Sequence, residues 1–117
     1  MDDTFKVAVV AIPDISHGYR DGLQALSGAD VKRVSVADTR KISGSVDIDE
    51  CTRHLYPESP RWDYAIGYGC KVYFAEVHSA SPRCVDDVVS KKHWLDGWLN
   101  ERACKLKVLM VAHRRRW

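Results

Sequence analysis

The sequence of 117 residues has no C-x-x-C pair, no apolar run long enough to span a bilayer and no large excess of either charge. Its four cysteines, Cys51, Cys70, Cys84 and Cys104, are widely spaced and follow no leader-like segment. A disulfide framework is therefore not expected, and a reduced, cytoplasmic setting is. The longest apolar stretch, residues 7–12, falls far short of the ~20 residues that a membrane helix requires, so no membrane partner is expected. The formal net charge of +2 arises from many charges of both signs. Any contact with a polyanion such as nucleic acid must then be local. The segment Ile12-Pro-Asp-Ile-Ser-His-Gly lacks the G-x-G-x-x-G and G-x-x-x-x-G-K-[ST] patterns, which removes a dinucleotide or NTP cradle. Internal repeats, low-complexity segments and a dividing linker are also missing, so residues 1–117 are taken as one domain.

What is present is 45% hydrophobic and patterned as a mixed α/β chain. The apolar run 5–12 stops at Pro13 and predicts a buried strand. Ser16 is placed to cap a helix over 17–27, with Tyr19, Leu23 and Leu26 on one face and Gly28 as the stop. Residues 31–36 have strand composition, and the polar stretch 37–45 suits a loop or an irregular strand extension. Asp47 is positioned to cap a short helix with Ile48, Cys51 and Leu55 inward, ending before Pro57. Residues 62–68 and 72–78 are two aromatic and β-branched runs around Gly69-Cys70, a Gly-X pair that suits a two-residue hairpin turn. Ser81 and Pro82 open a long helix to about Cys104, and 106–112 form a last apolar strand.

The hairpin carries the chemistry. Alternation puts Glu76 and His78 on one face with Val72 and Phe74. If Gly69 and Cys70 are the two turn residues, Tyr68 pairs with Lys71 and Asp63 falls opposite Glu76, on the same face. Two facing carboxylates repel unless something positive sits between them. A magnesium or manganese ion meets that need, since both favour oxygen ligands from one or two carboxylates, and manganese accepts imidazole. The plainer alternative is a surface ladder with Asp63 paired to Arg61 or Arg83, Glu76 paired to a lysine and His78 merely ending a strand.

On the long helix, Val85, Val88, Val89, Leu95 and Leu99 form the expected buried arc, and Lys92 falls inside it. Lys92 has an i,i+4 ion pair with Asp96 open to it; alternatively its ammonium or that of Lys91 reaches the carboxylates or a phosphate. Trp94 and Trp98 are assigned to packing or an interface. Cys51-x-x-His54 has a zinc-like local spacing, but its second pair would have to come from distant Cys70, Cys84 or His78, so the thiols are taken as small core or surface side chains. Asp47 and Asp49 invite a metal, yet a helix cap accounts for Asp47. The basic tail 113–117 is a candidate phosphate contact or a solvated end.

With Asp63 on one hairpin strand and Glu76-x-His78 on the next, and with the order helix, three strands, helix, strand over 16–112, the chain resembles the PD-(D/E)XK, or restriction-endonuclease-like, nuclease superfamily. The resemblance implies an αβββαβ core, here with an extra N-terminal strand, in which helices flank a central mixed sheet. It also implies metal-dependent phosphodiester hydrolysis. Asp63 and Glu76 then take the two acidic positions that bind magnesium or manganese, and His78 the lysine position. Two features depart from the pattern: Trp62, not proline, precedes Asp63, and histidine is a switchable base where the family has a fixed cation. Similar families move the lysine to the following helix, where Lys92 or Lys91 stands. The runner-up is a non-catalytic nuclease-like module that binds nucleic acid or a protein partner, or forms a homo-oligomer.

Overall fold

The computed structural model of the protein describes residues 3–36, 38–77 and 84–110. The N-terminal apolar run folds as a helix, α1 (Thr4–Val10), and not as the expected strand. Phe5, Ala8, Val9 and Ile12 are buried while Val7 and Val10 are exposed. That is the i, i+3, i+4, i+7 spacing of an amphipathic helix, concealed in the sequence because the outward positions are also valines.

The helix expected over 17–27 does not form. Residues Ser16–Gly18 make a single 3₁₀ turn, after which the chain is extended at Tyr19. Two observations explain this. A Cβ at Gly18 would lie 2.2 Å from Cys51 Sγ, so the backbone here is pressed against its neighbour. Arg20 also spends both of its backbone groups on Ser45, donating and accepting at 2.9 Å, and so lies along a sheet edge. The cap is Ser27 instead: its hydroxyl accepts from the Asp30 amide at 3.2 Å and starts the one-turn α2 (Gly28–Val31), so Gly28 opens a helix where a stop was expected.

The first strand, β1 (Ile42–Asp47), takes up part of the stretch expected to be a loop or an irregular strand extension, and the expected strand over 31–36 is absent among the described residues. Asp47 caps α3 (Ile48–Thr52) as expected, accepting from the Glu50 amide at 2.9 Å. The hairpin follows as β2 (Tyr64–Tyr68) and β3 (Lys71–Ala75), antiparallel, with Tyr68 paired to Lys71 and Tyr64 to Ala75. Gly69 has φ +60°, which the two-residue turn demands and an L side chain resists. The sheet order is β1-β2-β3, all antiparallel.

The long helix α4 (Cys84–Glu101) is present, and its expected start at Ser81 and Pro82 lies outside the described residues. The last segment begins as a one-turn helix, α5 (Cys104–Lys107), where a strand was expected. Its sheet pairing among the described residues is a parallel bridge between Met110 and Val72, whose amide donates to the Leu109 carbonyl at 3.0 Å. Residues 111–117, including the basic tail, lie outside the described residues.

Both sheet faces are covered. One packs Val46, Ala65, Val72 and Phe74 with Phe5 and Val9 of α1 and with Leu95, Trp98 and Leu99 of α4. The other packs Tyr64 and Ile66 under Leu26, with Leu23 and Val34 at its margin. Asp14, which follows Pro13, is the buried polar tie of the first layer. Its carboxylate accepts from Trp98 Nε1 at 3.0 Å, Tyr56 Oη at 3.3 Å and Arg102 Nη2 at 2.8 Å. Burial opposes its charge, but hydrogen bonding to Arg102 outweighs it and holds the Asp14 carboxyl below its ordinary value.

Candidate functional site

Beyond the paired strands the hairpin register continues by one step, and it brings Asp63 and Glu76 together at the open end. The Asp63 backbone is pinned from the other side, its carbonyl accepting from the Ile48 amide at 2.9 Å as α3 begins. Trp62, just before it, is buried in the core. The side chain of Asp63 is thereby directed toward the end of β3, where its Oδ2 accepts from the Val77 amide at 3.2 Å.

Glu76 points to the face shared by Val72 and Phe74, which α4 covers. Its side chain is only 6% exposed. Lys91 enters from α4, one turn before Leu95 and two before Trp98. Its Nζ donates to Asp63 Oδ1 at 3.0 Å and to Glu76 Oε2 at 2.6 Å, and it lies against Glu76 Oε1 as well. Oε1 is buried, and among the described residues its contact is this ion pair with Lys91.

The electrostatics separate the two carboxyls. Burial, followed by hydrogen bonding to Asp63 and repulsion from its charge, pushes Glu76 up to about 8 against the pull of Lys91. Burial also works against the Asp63 charge. Hydrogen bonds from Glu76, Lys91 and the Val77 amide outweigh it, so Asp63 is lowered. Lys91 pays desolvation too, but its two carboxyl partners raise it. Near neutral pH the cluster therefore comprises an ionised Asp63, a protonated Glu76 and a charged Lys91. A pair of acids driven apart in this way can hold and release one proton at a defined atom.

The remaining sequence candidates fall elsewhere. His78 and Arg83 lie outside the described residues. Lys92 is not brought to the carboxyls, and forms its i,i+4 pair with Asp96 at 2.9 Å. The buried arc of α4 accounts for the difference between the two lysines. It is centred on Leu95, Trp98 and Leu99, with Val89 exposed, and this rotates Lys91 inward. Trp94 stacks on Trp98 with centroids 5.6 Å apart, so both tryptophans are used in packing. Arg61 pairs with Asp49 at 2.8 Å rather than with Asp63. Cys51 is buried, His54 is exposed, and Cys51, Cys70 and Cys104 are free thiols.

Among the described residues no group of three or more His, Cys, Asp or Glu is placed to hold a metal ion. Asp63 and Glu76 are a pair. Two carboxylates suffice for magnesium or manganese when water and substrate oxygens complete the sphere, and the buried Glu76 carboxyl, ion-paired to Lys91, supplies hard oxygen donors of the kind these ions select. No helix among the described residues is long and apolar enough to cross a membrane. Comparison with protein-family models, curated proteins and solved structures found no match.

Proposed function

We propose that the chain is a nuclease-like domain that hydrolyses phosphodiester bonds of nucleic acid with the help of magnesium or manganese. The observation that carries this is the convergence of Asp63, Glu76 and Lys91 at the end of one hairpin, with the ammonium supplied by the next helix. The element order also supports it. With the short helices α2, α3 and α5 set aside, α1, then β1 to β3, α4 and the parallel bridge of Met110 with Val72 are compatible with the αβββαβ order that the resemblance implies. In this assignment the first helix is residues 4–10 and not 17–27, and it takes the place of the expected N-terminal strand.

Asp63 and Glu76 would hold the cation. When bound, it supplies Lewis-acid polarisation of the phosphate and a water of lowered pKa. Lys91 takes the family's lysine position from the helix and offsets charge gathering on the phosphate oxygens. His78, two residues beyond Glu76, is assigned to orienting or deprotonating the attacking water. Lys92, held by Asp96, has no part in this assignment.

The test is cleavage of labelled single- and double-stranded DNA and RNA in Mg²⁺ or Mn²⁺. The intact chain is expected to cut at least one of the four, and Glu76→Ala to lose at least about a hundred-fold of that rate. Equal cleavage by both chains would refute the assignment of Glu76, and no cleavage of any of the four by the unsubstituted chain would leave the non-catalytic module.

A further inference from the structure

Lys91 does more at this site than stand near it. Its Nζ is within 3.0 Å of Asp63 Oδ1 and 2.6 Å of Glu76 Oε2, so the ammonium occupies the ground between the two oxygens that a divalent cation would bridge. The stem is anchored on the α4 face that also carries Leu95 and Trp98, both buried. The side chain is nevertheless 23% exposed, which leaves its four-carbon arm a way out to solvent. Glu76, by contrast, is enclosed and cannot turn to water for a partner.

We propose that Lys91 is an internal counter-ion for the metal position: the metal-free protein is held by its own lysine, and a divalent cation binds by displacing that ammonium. This deepens the nuclease-like assignment and rests on it. The displacement has a physical basis. Ammonium and dication cannot share the same two oxygens without strong repulsion, and a small dication, whose binding releases the Glu76 proton to solvent, attracts the resulting carboxylate pair more strongly than a single charge does. Once displaced, the ammonium remains tethered a few ångströms away. It is then free for a phosphate oxygen, so metal entry and release of the phosphate-binding cation become one event. Lys92, already paired on the neighbouring face, is the internal control.

The experiment titrates Mn²⁺ into the wild-type chain and Lys91→Met, reading free Mn²⁺ by electron paramagnetic resonance. In parallel, amine acylation of the wild-type chain is followed residue by residue by mass spectrometry, with and without Mn²⁺. Removal of the competing ammonium is expected to tighten Mn²⁺ binding by at least about ten-fold. Acylation of Lys91 is expected to rise several-fold on adding Mn²⁺, with that of Lys92 unchanged. Equal Mn²⁺ affinity in the two chains, or Lys91 acylation indifferent to bound Mn²⁺, overturns the displacement and leaves the metal-dependent assignment standing. No binding by either chain at about 10 mM Mn²⁺ overturns both. Should Lys91→Met fail to fold, acylation of the wild-type chain decides the matter.

Discussion

Replacing Glu76 with glutamine isolates the shared proton of the site. Glutamine keeps a donor toward Asp63 and an acceptor toward Lys91, so packing and hydrogen bonding are conserved while the titration is removed. Burial and the neighbouring Asp63 raise Glu76 from 4.5 to about 8 on folding. Below 4.5 both states hold the proton and the raised value costs nothing. Between 4.5 and about 8 the unfolded chain has released it and the native chain has not, so stability falls as pH rises, and the loss levels off above about 8. The steepest slope is about 1.4 kcal/mol per pH unit. Integrated from about pH 5.5 to about pH 7.5, with the native group partly ionised at the upper end, the loss is about 2.5 kcal/mol. Asp63 is lowered and Lys91 raised, so both titrate outside this window. The histidines are common to both chains and cancel. Urea denaturation at several pH values should then show the stability advantage of Glu76→Gln widening by about 2.5 kcal/mol over this range, at constant m-value. Parallel curves would refute the reasoning and make Glu76 an ordinary ionised partner of Lys91.

Two further outcomes concern the scaffold. Asp14→Ala removes the buried acceptor shared by Trp98, Tyr56 and Arg102, and should cost about 2 to 4 kcal/mol in urea or thermal unfolding. The half-exposed Arg102 can turn to water, which keeps the cost below that of an enclosed ion pair. Gly69→Ala forces a side chain onto a φ of +60° and should lower stability by about 1 kcal/mol, with Gly69→Asn costing less.

The carboxyl pair was legible in the sequence because hairpin register is local. Once Gly69-Cys70 is a two-residue turn, side-chain alternation fixes Tyr68 against Lys71 and carries Asp63 to Glu76 with no distant contact involved. The cap at Asp47 was legible for the same reason, since cap and helix are adjacent. The N-terminal helix was not. Its outward valines imitate a buried strand, and only packing against the sheet decides which apolar residues face inward. The 3₁₀ turn at Ser16–Gly18 likewise depends on Cys51 and on Ser45, which lie far along the chain. Asp14 gave no signal, because its partners stand 42, 84 and 88 residues away.

The sequence by itself determined which carboxyls face each other, because turn chemistry and a period of two act over a few residues. Only the tertiary structure decided what stands between them. Lys91 and Lys92 are adjacent and chemically alike, and each sits near the buried arc of its helix. The rotation of that helix against the sheet, set by Leu95, Trp98 and Leu99 burying with Val72 and Phe74, sends one lysine to Asp63 and Glu76 and the other to Asp96. That choice is made by packing between distant segments, which no local pattern encodes.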